Sequence, residues 1–167
     1  MSIYKSKKGV TLIELVIALG LLSVIVAFVF SFFFANEKKL DEVTIKSDLQ
    51  YEAKVVMDAI SKYAMSATKV KYDTSIDPNT ITFSLVDEDG AIIEDGAMFN
   101  INKPQITLIE KNADGTEIVS KTICSNSKII KVSGNKEKNI DVNLTLEKDG
   151  VSYSIEEGFL FRNSHLK

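Results

Sequence analysis

Glu14 stands inside an apolar stretch that runs from Val10 to Ala35, and the residues before it, Met1 to Gly9, hold Lys5, Lys7 and Lys8 with no acid. A carboxylate within membrane-grade sequence costs roughly 2.5–3.5 kcal/mol on insertion scales, so it needs a positive group or a set of donors. A helix N-terminus offers part of this, since its first turn carries partial positive charge. Other reactive side chains are few. Cys124 is the only cysteine and His165 the only histidine. The chain shows no Gly-rich phosphate loop, no nucleophile elbow and no paired Cys/His metal spacing, so neither a cofactor nor an enzymatic reaction is expected.

The element that carries Glu14 must be a helix. At ~1.5 Å rise per residue, residues 10–35 exceed a hydrocarbon core of ~30 Å, and the lysines before them obey the positive-inside rule. A secretory signal peptide does not fit, because its apolar region spans only about 7–15 residues before a small-residue cleavage site. Beyond Ala35 the pattern becomes amphipathic. Leu49, Ala53, Val56, Ile60, Ala64 and Ala67 recur at spacings of three and four, while Lys46, Asp48, Glu52, Lys54, Asp58 and Lys62 lie mostly off that line. No proline interrupts Val10 to Asp77, so one helix is expected to run to about Thr68, broken at most near Asn36.

From Thr80 the period falls to two. Ile81, Phe83 and Leu85, then Ile106 and Leu108, then Ile140, Val142, Leu144 and Leu146, and finally Val151, Tyr153 and Ile155 alternate with polar residues as half-buried strands do. Asp89-Gly90, Asp114-Gly115 and Asp149-Gly150 are hairpin turn signals, the last joining two alternating runs directly. The predicted class is α+β, with a long N-terminal helix packed by its second half on an antiparallel sheet. The predicted organisation is a basic leader at 1–9, a membrane half-helix at 10–35, its amphipathic continuation at 36–68 and a β-rich domain at 69–167.

Lys7-Lys8-Gly9-Val10-Thr11-Leu12-Ile13-Glu14-Leu15, followed by a long apolar helix, resembles the N-terminus of type IV prepilins and the related pseudopilins. Arg162-Asn163 gives a weaker echo near the other end. The resemblance implies cleavage between Gly9 and Val10 by prepilin peptidase, a membrane aspartyl protease, with N-methylation of Val10. Family members most often have phenylalanine or methionine at that place. It also implies that Glu14 pairs with the new amine, within one chain or between neighbours, and that the subunit joins other pilins through its helix at an inner-membrane assembly platform. The expected location is then the cytoplasmic membrane, single-pass, with the β-domain outside the cytoplasm, and afterwards a surface pilus or a pseudopilus. Adhesive or motile pili, type II secretion and competence pili share this N-terminus. The small domain without an internal disulfide looks more like a minor, priming or capping, subunit. The alternative is a signal-anchored surface protein whose β-rich domain binds a partner without entering a filament.

Composition is consistent with either reading. Removing Lys5, Lys7 and Lys8 from the 20 basic residues leaves 17 against 23 acidic ones, so the remaining chain is acidic and general nucleic-acid binding is not expected. Burial in a strand is the expected state of Cys124, and a tail position that of His165. Asp87-Glu88-Asp89-Gly90 has oxygen ligands for calcium but not the alternating spacing of a dedicated loop, and reads as a solvated turn. Asn143-Leu144-Thr145 matches a glycosylation sequon inside a strand.

Overall fold

The structure, a computed structural model, describes residues 9–72, 79–86 and 90–163. Its contacts divide the chain at Val43 and Thr44 into two units. Helix α1, Leu12–Ser66, is uninterrupted, with no break at Asn36.

The first unit contains the apolar part of α1. Every large apolar side chain from Leu12 to Phe34 is exposed, at 43–82 %, because no other element among the described residues of this unit packs on the segment. It is long and apolar enough to cross a membrane, with a mean hydropathy of 2.8 over an 18-residue stretch. Its hydroxyl at Ser23 is satisfied locally by donating to the Gly20 carbonyl at 2.7 Å. Phe30 and Phe34 stack one turn apart with ring centroids 6.3 Å from each other.

In the second unit α1 buries one line of residues, Leu49, Ala53, Val56, Met57, Ile60, Tyr63 and Ala64. The three- and four-residue spacing read from sequence is therefore the face that meets the core. The helix ends one residue before Ala67. Ala67 and Thr68, expected on the helix, instead open strand β1, Ala67–Tyr72. The run Thr68-Lys-Val-Lys-Tyr72 alternates and includes β-branched and aromatic residues, which fit a pleated surface better than a helix.

The strands that follow are β2 Thr80–Val86, β3 Ile92–Asn102, β4 Gln105–Lys111, β5 Glu117–Cys124, β6 Ser127–Ser133, β7 Asn139–Lys148 and β8 Val151–Leu160. They form two antiparallel sheets, β1-β2-β3-β4-β5 and β6-β7-β8, rather than the single sheet expected from alternation. Hairpins build both. Asp149 and Gly150 both have positive φ, 50° and 80°, so the β7–β8 turn has the left-handed backbone that Asp-Gly favours. Between β6 and β7, Gly134 has φ 114°, and a Cβ there would lie 2.8 Å from the Asn139 carbonyl oxygen.

Two backbone bonds stitch the sheets together, Val70 N–H donating to Lys136 O and Ser127 N–H to Pro104 O, each at 2.8 Å, while Glu147 N–H donates to Asn126 O at 2.9 Å and extends the β6–β7 ladder by one pair. The shared core holds Ile60, Phe83, Phe99, Ile106, Ile130, Ile140 and Leu144 at or near zero exposure. Phe83 makes edge-to-face contacts with Phe99 and Phe161, which draws the C-terminal segment into the same cluster. Asn163 completes the closure, its side-chain amide donating to the Ser66 carbonyl at 3.2 Å. That bond satisfies an orphan carbonyl at the helix C-terminus, where α1 has no basic residue in its last turn.

Ile60 is fully buried on the line that meets the sheets. Ile60→Ala is expected to destabilise this unit by about 2–5 kcal/mol through lost transfer energy and a residual cavity. Denaturant unfolding of the detergent-solubilised chain measures it, and a change under 1 kcal/mol, on the order of a surface substitution, contradicts the packing described.

Candidate processing and assembly site

Thr11 and Glu14 make the N-terminus of α1. Thr11 precedes the first helical residue, Leu12, and occupies the N-cap position. Its hydroxyl accepts a hydrogen bond from Glu14 N–H at 3.3 Å, while Glu14 Oε2 accepts from Thr11 N–H and from the Thr11 hydroxyl, each at 2.9 Å. This reciprocal arrangement is a capping box, which satisfies two of the helix's free N–H groups. Sequence reasoning singled out Glu14 but missed Thr11. The signal was present as Thr-x-x-Glu opening an apolar run.

The box supplies Glu14 with donors from its own chain, and all of them lie on the C-terminal side of the Gly9–Val10 bond. Val10 is 76 % exposed. Among the described residues, no heavy atom lies within 4 Å of where a Cβ of Gly9 would stand. The described residues therefore give no steric reason for glycine at this position. Lys5, Lys7 and Lys8 lie outside the described residues, as do Asp87, Glu88, Asp89 and His165.

The remaining polar residues singled out from sequence belong to the second unit and are locally engaged. Cys124 is 2 % exposed at the end of β5, as expected. Burial, above all, together with the neighbouring Glu52 carboxylate pushes its thiol up to about 12, so the nucleophilic thiolate is suppressed. Glu52, expected off the buried face of α1, is half-buried beside it and holds the β5–β6 turn. Its carboxylate accepts from Ser125 N–H at 3.2 Å, from the Asn126 amide at 2.8 Å and from the Cys124 thiol at 3.4 Å. Nothing in the local sequence marks these contacts, which span more than seventy positions. Asn143 lies mid-strand in β7, and its amide donates to Glu156 at 3.1 Å.

On β1 and β3, Lys69 and Lys71 bracket Glu94 at 2.7 and 2.9 Å, and Lys71 also reaches Asp95 at 3.1 Å. The two ammonium groups donate to Glu94 and hold its carboxyl at about 2, well below the ordinary 4.5.

Comparison with known proteins places one part of the chain. Residues 4–30 match the prokaryotic N-terminal methylation motif. No curated protein and no solved structure is significantly similar to the chain. The matched segment contains Gly9, Val10, the capping box and the first turns of the apolar helix.

Two outcomes follow from this geometry. Thr11→Val removes the cap, at a typical cost of about 1 kcal/mol, and is expected to speed amide exchange in the first turn of α1 in micelles while leaving later turns unchanged. Unchanged first-turn exchange would show that the box does not hold that turn. For Glu94, the folded-state depression means that its contribution is full above the ordinary 4.5 and is lost as pH falls toward about 2. The melting difference between the natural chain and Glu94→Gln should shrink across that window, and a difference independent of pH would contradict the ion network.

Proposed function

We propose that this chain, which carries a prepilin-type N-terminal methylation motif, is a structural subunit of a type IV pilus or pseudopilus, cut between Gly9 and Val10 and assembled through its N-terminal helix. The observation that carries this reading is the capping box of Glu14 at the head of a helix whose apolar surface has no partner within the first unit. In a bilayer that surface meets lipid; in a filament it meets the same surface of neighbouring subunits. Both environments replace water without a further change in the chain.

Cleavage by prepilin peptidase would convert the Gly9–Val10 peptide into a cationic amine one turn before Glu14. Methylation of Val10 leaves that amine basic. The carboxylate would then serve two partners, the first-turn donors of its own helix and an amine of its own or an adjacent subunit. The unexplained glycine at position 9 supports recognition from outside the fold, since a peptidase needs close access to the backbone there. Lys5, Lys7 and Lys8 would hold the leader on the cytoplasmic side, with the β-rich unit outside. The small unit, with its single buried cysteine, supports a minor, priming or capping, role. Prepilin peptidase, an inner-membrane assembly platform and other pilins are the partners this reading requires.

Intact mass of the protein recovered from host membranes tests the processing step. Loss of Met1 to Gly9 is expected when the peptidase is active, and retention of the leader would reject the reading in favour of a simple membrane anchor. Glu14→Ala and Glu14→Gln should both be processed normally and both enter filaments poorly. Glutamine still caps a helix, so normal incorporation of the glutamine variant would assign Glu14 to capping alone.

A further inference from the structure

The two sheets end in strands of different character. β1 and β6 are engaged at their outer sides, by the Val70–Lys136 and Ser127–Pro104 backbone bonds. β5 and β8 end their sheets with no such bond among the described residues. Residues 117–122 of β5 are exposed on both faces, with Ile118 at 58 % and Val119 at 36 %. β8 exposes Glu156, Glu157, Gly158 and Leu160, the last at 78 %. Open edges of this kind invite pairing with another strand.

Each open edge carries one charge on its core-side face. Lys121 on β5 stands opposite Leu108, which is buried on β4. Glu157 on β8 stands opposite Val142, fully buried on β7, and interrupts the series Tyr153, Ile155 and Phe159 that packs on the core. Neither side chain has a partner among the described residues. A charge facing inward on an edge strand blocks pairing with a like edge, because it would meet its own sign across the new ladder. β5 against β5 sets lysine on lysine, and β8 against β8 sets glutamate on glutamate. Only β5 against β8 sets them in opposition.

From this complementarity we infer that the β5 edge of one copy pairs with the β8 edge of a second copy. The pairing is antiparallel, with Lys121 opposite Glu157 and Val119 brought against Phe159. Because the two edges differ, the contact is heterologous, and a pair of copies keeps one free edge of each kind, β8 on one and β5 on the other. It requires only the β-rich unit and stands independently of how the N-terminal helix is processed.

Sedimentation of the full chain in detergent micelles at low salt tests this. Lys121→Glu and Glu157→Lys should each weaken self-association several-fold. The doubly substituted chain, and an equimolar mixture of the two single variants, should recover it, since the double variant restores opposite charges across every β5–β8 contact and the mixture restores them across every contact between unlike variants. Lys121→Gln and Glu157→Gln should fall between. Association that ignores both reversals, or that is lost in the single variants and not recovered by the double variant or the mixture, overturns the pairing. Intact masses of the same chains recovered from membranes report leader removal separately, so failure here is distinguishable from failure of the subunit reading.

Discussion

The controlling constraint is that one helix must satisfy two surroundings. Up to Ala35 its side chains are apolar all round, and the described residues of its own unit provide nothing to cover them. From Thr44 onward only one line is apolar, and the sheets cover it completely at Leu49, Ala53, Val56 and Ile60. The change of pattern along an unbroken helix is therefore a change of solvent. A charged residue inside the first segment is acceptable only with donors at hand, and Thr11 provides them at the earliest possible position.

In the β-rich unit, a few long-range polar contacts do what local pattern cannot. Glu52 reaches from the helix to the turn where the chain leaves the five-stranded sheet for the three-stranded one. Val70 and Ser127 join the sheets through backbone bonds to Lys136 and Pro104. Such contacts add little energy singly, since a hydrogen bond contributes roughly 0.5–1.5 kcal/mol net, but a buried group left unpaired is more expensive. They select one arrangement of sheets over others that would bury the same apolar faces.

Much of the architecture was legible in the sequence because periodicity is local. The apolar segment, the amphipathic face, the alternating strands and the Asp149-Gly150 hairpin all announce themselves within a dozen residues. The division into two sheets was not legible, because alternation says which face is buried and nothing about which strands share a ladder. The helix end was misplaced because Ala67 continues the helical spacing while sitting at the start of an edge strand. At the N-terminus, Glu14 was conspicuous through its cost, whereas Thr11 was overlooked because threonine is unremarkable in an apolar run. Glu52 had no local signal, its partners Ser125 and Asn126 lying beyond five strands in sequence.

The position of Phe161 decides when the core can close. This ring is 5 % exposed against Phe83, and Asn163 donates to the Ser66 carbonyl at the end of α1, so the core is complete only once the segment after β8 has folded back onto the helix and β2. The bond between Asn163 and Ser66 spans 97 positions, so closure is a late, non-local event for this unit, reached only after the hairpins between them have formed.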